Sequence, residues 1–236
     1  MSGRQAGRGS RPVLAADLGG TSLRAALVTP RGRVLASRSF PLPRPASPSR
    51  VLRALADAWR TLLKASPRRP SAAGLALKGL VDSERGVSLY VNGLPGWRNV
   101  PVAERLGARL GLPVYLDNDC RAAALGEAWL GAARGKRDFV FLIVGTGIGT
   151  GVVRDGRLIT GAHGGAGEFG HTVVDASKRA AACSCGGRGH WEALAAGPAL
   201  ERRVRLLLKE GARDLARFRR RYPGPVDGRW AGAALA

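Results

Sequence analysis

Two short apolar runs in this sequence each lead into a glycine-rich turn, and that repeated punctuation restricts the fold more than any other feature of the chain. Val13 to Asp17 runs into Gly19-Gly20-Thr21, and Phe139 to Val144 runs into Gly145-Thr146-Gly147-Ile148-Gly149-Thr150-Gly151. Brief apolar stretches bounded by glycine read as buried strands. Leu23 to Val28 and Arg33 to Ser39 read the same way, so the chain opens as a strand, a tight turn and a return strand. Pro41, Pro43, Pro45 and Pro48 then mark a connection. Beyond it, Val51, Leu52, Leu55, Ala58, Trp59 and Leu62 recur at helical spacing. Ala72 to Leu77 predicts a further strand, Val81-Asp82 a turn, Asn92 to Trp97 a loop, and Val102 to Leu110 a helix. Pro113 to Leu116 is again strand-like, and the alanine-rich stretch Cys120 to Leu130 favours helix by propensity. Strands alternating with helices imply an α/β layer structure.

Composition narrows the class. At 236 residues and 45% hydrophobic, the chain can bury one large core or two smaller ones. No apolar segment reaches the roughly 18 residues of a membrane span. The basic start, Met1 to Pro12, lacks the hydrophobic region of a signal peptide. A cytoplasmic protein with no membrane partner is expected. Three cysteines make a poor disulfide framework but can contribute to a metal site. A formal charge of +21, from 38 Lys and Arg against 17 Asp and Glu, attracts polyanions at low salt. The arginines are nevertheless scattered through fold-building segments, and no zinc finger, basic zipper region or helix-turn-helix is present, so specific nucleic-acid binding is not expected.

The chemistry-bearing residues sit beside the turns. Neither glycine turn is a P-loop, because no Gly-Lys-Ser/Thr ending follows, and neither carries a full dinucleotide fingerprint. Glycines still let backbone amides approach a phosphate, and Thr146 and Thr150 add hydroxyls. Two such turns, each near the start of a half of the chain, favour a nucleotide held in a cleft. Asp17 and Asp119 fall at strand ends, where α/β proteins bind ligands, although loop structuring and helix capping are ordinary uses of the same residues. Glu168 and His171 lie three residues apart, close enough to serve one ligand. His171, Cys183, Cys185 and His190 offer four ligands suited to tetrahedral zinc, with reduced surface thiols as the alternative. The gap from 171 to 183 accommodates a hairpin carrying Val173 and Val174.

Taken in order, these motifs resemble the ROK sugar kinases. The likeness is carried by Asp17-Leu18-Gly19-Gly20-Thr21, Leu94-Pro95-Gly96-Trp97, Asn118-Asp119 with Ala122 to Glu127, and Gly145 to Gly151. Gly164 to His171, Cys183-Ser184-Cys185-Gly186 and Gly189-His190-Trp191-Glu192 complete it. The resemblance implies an actin-like, ribonuclease-H-like α/β fold with two domains flanking a cleft. A basic tail over 1–12 would precede a first domain over 13–117 and a second over 118–236, with a zinc-binding segment at 171–190. It further implies ATP-dependent phosphorylation of a hexose, most simply glucose to glucose 6-phosphate, with Asp119 as catalytic base. Asn118, Asp119, Glu168, His171 and Glu192 would hold the sugar. Asp17, Gly19, Gly20, Thr21, Gly145, Thr146, Gly147 and Gly149 would hold the phosphates. Mg2+ would accompany ATP, and a structural Zn2+ would sit on His171, Cys183, Cys185 and His190. A homodimer is left open.

Several residues depart from the family pattern. His190 stands where a third cysteine is usual, Arg121 where asparagine is common, and Lys78 where proline is common. Arg121 would either reshape the pocket or turn outward along its helix. After Leu200 the residues Val204, Leu207, Leu208, Leu215 and Phe218 predict one face of a basic helix, and Tyr222 to Ala236 trails through proline and glycine. The strand, glycine turn and last helix with which relatives hold adenosine are not evident there. An incomplete second domain is therefore expected, and a sugar-binding homologue or fragment with impaired catalysis is the alternative to an active kinase.

Overall fold

The computed structural model describes residues 11–64 and 69–227. Of the expected basic tail all but Arg11 and Pro12 lies outside the described residues, as does 228–236. The opening segment forms an antiparallel meander of β1 (Val13–Leu18), β2 (Ser22–Val28) and β3 (Val34–Pro41). The strands β4 (Ala73–Leu77) and β8 (Val114–Asn118) add in parallel beside β1, giving the order β3-β2-β1-β4-β8. Leu18 pairs with Leu77, and Leu77 pairs with Asn118, so the three parallel strands finish at one level. That shared carboxyl edge is where an open α/β sheet presents residues to a ligand.

Burial explains why the first sheet holds. Leu14 and Leu18 of β1 and Leu23 and Leu27 of β2 lie on the face covered by α1 (Pro48–Lys64). The helix contributes Val51, Leu52, Leu55, Trp59 and Leu62, all buried, and the Trp59 indole donates to the Ala15 carbonyl at 3.0 Å. At roughly 1.5–3 kcal/mol for each large apolar side chain fully buried, this layer supplies much of the favourable term for folding. The second helix of this half, α2 (Val102–Leu110), ends at Gly111 in a left-handed conformation, as a helix stop requires.

A small antiparallel sheet, β5 (Leu80–Asp82), β6 (Val87–Tyr90) and β7 (Arg98–Val100), replaces the turn expected at Val81-Asp82. Its strands of three and four residues are too short to show a period-two pattern. Long-range packing fixes them: Val81, Trp97 and Val100 join the main core, and the Trp97 indole donates to the Ala46 carbonyl at 2.9 Å.

The second half repeats the strand, glycine turn and return strand. Here α3 (Asp119–Leu130) packs on an antiparallel sheet of β9 (Phe139–Val144), β10 (Ile148–Arg154) and β11 (Arg157–Leu158), in the order β11-β10-β9. Gly151 permits that approach, because a Cβ there would lie 2.6 Å from the Ala124 methyl and 2.9 Å from the Cys120 carbonyl. The helices α4 (Trp191–Ala195), α5 (Gly197–Lys209) and α6 (Arg213–Arg221) follow. The single basic helix expected after Leu200 is thus two helices, broken at Gly211, whose φ of +83° no continuing helix can adopt. Val204 and Val226 form a separate small cluster with Leu200 and Leu208. No helix among the described residues is long and apolar enough to cross a membrane.

One surface is unusually apolar. Among the described residues β9 pairs only with β10, and Val140, Leu142 and Val144 remain 55%, 47% and 50% exposed. An unpaired strand edge with apolar side chains favours association with other chains. The 236-residue chain is expected to show light scattering that rises with concentration, and Leu142→Lys should reduce it at least about twofold without lowering Tm. Equal scattering from the two proteins would show that this edge is not the sticky surface.

Candidate active site

The carboxyl edge of β1, β4 and β8 collects the residues singled out in the first half. Asp17 is the penultimate residue of β1, Lys78 follows β4, and Asn118-Asp119 bridges β8 and α3. Asn118 rather than Asp119 is the principal cap of α3: its Oδ1 accepts from the amides of Cys120 at 2.9 Å and Arg121 at 3.2 Å. Its Nδ2 donates to the Gly79 carbonyl at 3.1 Å, which leaves one amide hydrogen for a ligand. Asp119 Oδ1 also accepts from the Cys120 amide, at 2.9 Å, and the Cys120 thiol donates to the same carboxylate.

Three acids share this region. Asp17 is exposed, but partial desolvation at the sheet edge raises its carboxyl above the ordinary range, and the Asp119 charge adds to the push while Arg24 opposes it. Glu168 is likewise raised, first by burial; His171 and Arg121 hold it down, and Asp119 and Glu192 hold it up. Asp119 thus acts on Asp17 on one side and Glu168 on the other. Such concentration of like charge costs stability and is characteristic of functional sites. Cys120, behind Asp119, is pushed up to about 12 by burial and by Asp119, so it stays a protonated thiol at neutral pH.

The two glycine turns are built differently. In the first, the Gly19 amide closes the hairpin on Ser22 O at 3.0 Å, while the amides of Gly20 and Thr21 donate to no protein group among the described residues. Lys78 adds a cation here, with its Nζ 3.7 Å from where a Cβ of Gly20 would stand. In the second, Gly145 is tied to Gly147 O and, through its own carbonyl, to the amide of Gly197 at the start of α5. Thr146 and Gly147 retain free amides among the described residues. The Ile148 amide instead donates to Glu192 Oε2 at 3.0 Å. That contact requires glycine at 147, where a Cβ would collide with the same carboxylate.

Glu168 lies at the end of the loop over 161–168, and the short 3-10 turn Phe169–His171 carries His171 directly after it. His171 Nε2 faces Glu168 Oε2 at 3.9 Å, and its Nδ1 faces Cys183 Sγ at 3.7 Å. Cys185 Sγ lies 3.2 Å from His190 Nδ1, and the four ligand atoms of His171, Cys183, Cys185 and His190 all fall within 4.8 Å of one another. Tetrahedral zinc with two sulfurs and two nitrogens needs ligand separations of about 3.4–3.8 Å. The donor set therefore fits such an ion with small adjustments. The segment between these ligands is not a hairpin: Val173 bridges to His190 and Ala182 to Arg188, leaving Val173 and Val174 each 56% exposed.

For Arg121 the sequence allows either an inward or an outward orientation. It turns inward and is 1% exposed, the one buried charge among the described residues. The signal for it was slight, a cation on a helix face otherwise made of alanines. A separate cavity of about 320 Å3 lies beside the first turn, lined by Gly20, Leu42, Arg44, Gly93 and Pro95 among others, and none of the three acids borders it.

Comparison with known proteins agrees with this architecture. The ROK family profile matches residues 13–219. Glucokinase of Thermotoga maritima is 37% identical over 194 residues, an alignment covering 82% of this chain and 60% of that protein. Glucokinase of Streptomyces coelicolor is 32% identical over 249 residues, covering 95% of this chain and 76% of that one. Among solved structures, a ROK family glucokinase from Streptomyces griseus in complex with glucose and AMPPNP superposes with a TM-score of 0.76 at 30% identity, over 95% of this chain and 70% of its own. The chain spans well under the full length of these relatives. Its α/β fold, with mixed and antiparallel sheets, is of the ROK and actin type. With the profile running through both glycine turns and the His/Cys cluster, the chain belongs to the ROK family.

Proposed function

We propose that this chain carries the sugar- and phosphate-handling machinery of an ATP-dependent hexose kinase, with glucose as the first substrate to test. The observation that carries the reading is the position of Asp119: at the amino end of α3, on the carboxyl edge of the first sheet, and acting on both Asp17 and Glu168. The similarity to relatives described as glucokinases, one of them holding glucose and AMPPNP, supports it. In this reading the first domain spans 13–117 and the second 118–236, with the cleft between them.

The chemistry follows from the placement. A hexose hydroxyl attacks the γ-phosphorus of ATP, its proton passes to the Asp119 carboxylate, the bond to the β,γ-bridging oxygen breaks, and ADP leaves. Transfer of this kind asks a protein mainly for alignment and charge stabilisation. The amides of Gly20, Thr21, Thr146 and Gly147, which make no other hydrogen bond among the described residues, serve the phosphates. Mg2+ bound with the nucleotide would supply charge neutralisation, and Asp17 is the carboxylate at the first turn that would hold it. Asn118, through its remaining amide hydrogen, and Glu168 and His171 take sugar hydroxyls. Glu192 has Oε2 held by the Ile148 amide and Oε1 accepting from Ser184 Oγ, and it takes a sugar hydroxyl on the remaining lone pair of Oε1. Zinc on His171, Cys183, Cys185 and His190 would be structural and would fix the ring of His171 that faces Glu168. An enzyme of this kind works in the cytoplasm, where ATP is.

The deciding experiment is calorimetric titration with glucose, mannose, N-acetylglucosamine and N-acetylmannosamine, joined to a coupled assay of ADP release. Hexose binding with hexose-dependent ADP release is expected. Binding of a hexose without turnover would overturn the kinase reading in favour of a sugar-binding homologue, and absence of any hexose binding would overturn both.

A further inference from the structure

We infer that Arg121 is a positioning residue that clamps the loop bearing Glu168 against the first half of the chain and so sets the spacing of the acids around the hexose. The inference rests on the hexose reading of that site. Arg121 projects from the first turn of α3, two residues beyond Asp119. All three of its guanidinium nitrogens are engaged. Nε donates to Asp117 Oδ1 at 2.5 Å, Nη1 to the Gly164 carbonyl at 2.7 Å, and Nη2 to the Val81 carbonyl at 3.0 Å and Ser83 Oγ at 3.3 Å.

Those partners belong to three separate segments: the end of β8, the strand β5 with the residue after it, and the loop over 161–168. No other described side chain joins all three. The loop reaches β5 closely enough that a Cβ at Gly164 would collide with the Val81 carbonyl. It is pinned a second time where Thr150 Oγ1 donates to the Gly167 carbonyl, so Glu168 follows directly from two fixed points. Arg121 holds the first point and also braces Asp117, whose Oδ1 accepts from the Asn118 amide at 2.7 Å. One guanidinium therefore sets the loop of Glu168 and the strand end of Asn118-Asp119 in a common frame. Lysine cannot reproduce this, because a single ammonium lacks the planar fork that reaches a carboxylate and two carbonyls at once.

The test compares wild type with Arg121→Lys and with the double variant Asp117→Asn/Arg121→Met. The double variant removes both charges together and so avoids leaving a buried ion unpaired. Hydrogen exchange over 161–168 and the dissociation constants of glucose and of AMPPNP are measured for each. Both variants should show faster exchange in the loop and an affinity for glucose weakened about ten- to a hundredfold, the size of effect expected from displacing a contact by about 1 Å. AMPPNP affinity should stay within about twofold, and exchange in β1 and β4 should not change. Unaltered loop exchange in a folded variant overturns the clamp. Faster exchange with unaltered glucose affinity overturns the positioning role. A wild-type chain that binds no hexose overturns the hexose reading instead, and loop exchange in the same samples still decides whether Arg121 is the clamp.

Discussion

Replacing Asp119 by asparagine is expected to lower hexose-dependent ADP release by about 10²–10⁴-fold, the usual contribution of a positioned general base. Hexose affinity should change much less, because asparagine keeps the shape and an oxygen able to accept from the Cys120 amide. The same substitution should make the protein more stable. Asp119 raises Asp17 and Glu168, in each case beside the larger effect of desolvation, so removing its charge relieves repulsion in the folded state. The sign follows from linkage: a carboxyl whose pKa is higher folded than unfolded disfavours the fold once ionised, and that penalty disappears as pH falls through the folded pKa. The gain in Tm from Asp119→Asn should therefore be present at neutral pH and shrink on acidification, as Asp17 and Glu168 take up protons. A stable, hexose-binding, inactive variant is the expected result. Retention of wild-type turnover would remove Asp119 from the chemistry, and a fall in Tm at neutral pH would contradict the repulsion.

What the sequence discloses of this fold depends on how local the cause is. The strands β1 and β9 were legible because each is an apolar run ended by glycine, and α1 because its buried residues repeat every third or fourth position. The sheet β5-β6-β7 was not, since its strands are held by Val81, Trp97 and Val100 entering a core supplied by distant segments. The break between α5 and α6 depended on one glycine within a stretch whose apolar spacing suggested a single helix. Site residues follow the same division. Chemical type alone suggests His171, Cys183, Cys185 and His190 as a ligand set, and the fold brings them together. The inward turn of Arg121 was invisible, because its acceptors at Val81, Ser83 and Gly164 lie some forty residues away in either direction. The dual employment of Glu192, bonded to a glycine turn and facing Ser184, was hidden for the same reason.

That carboxylate makes loss of the metal a prediction about more than the metal. Cys183→Ser or His190→Ala should abolish stoichiometric zinc, measured by mass spectrometry of the purified protein, whereas His190→Cys should retain it. The segment from Thr172 to His190 contains no helix and no strand beyond two isolated bridges, and it buries few apolar side chains, among them Ala180 and Cys183. Backbone hydrogen bonds such as Val174 to the Gly189 carbonyl and Cys183 to the Gly187 carbonyl join its parts, and coordination would add the side-chain link among them. Structural zinc sites in small peptides release about 10–16 kcal/mol on binding. If a third of that reaches the fold, at about 2–4 °C per kcal/mol for a chain of this size, Tm should fall by about 10 °C. The damage should then travel along Glu192, whose Oε1 sits 3.3 Å from Ser184 Oγ inside the cluster and whose Oε2 holds the Ile148 amide at the second glycine turn. Weaker AMPPNP binding should accompany metal loss even though no metal ligand belongs to that turn. Glu192→Gln separates the two effects: it should keep the zinc, keep most of the thermal stability, and still weaken AMPPNP. Full zinc occupancy in Cys183→Ser would reject the ligand set, and metal-free protein with unchanged AMPPNP affinity would show that the cluster and the turn are independent.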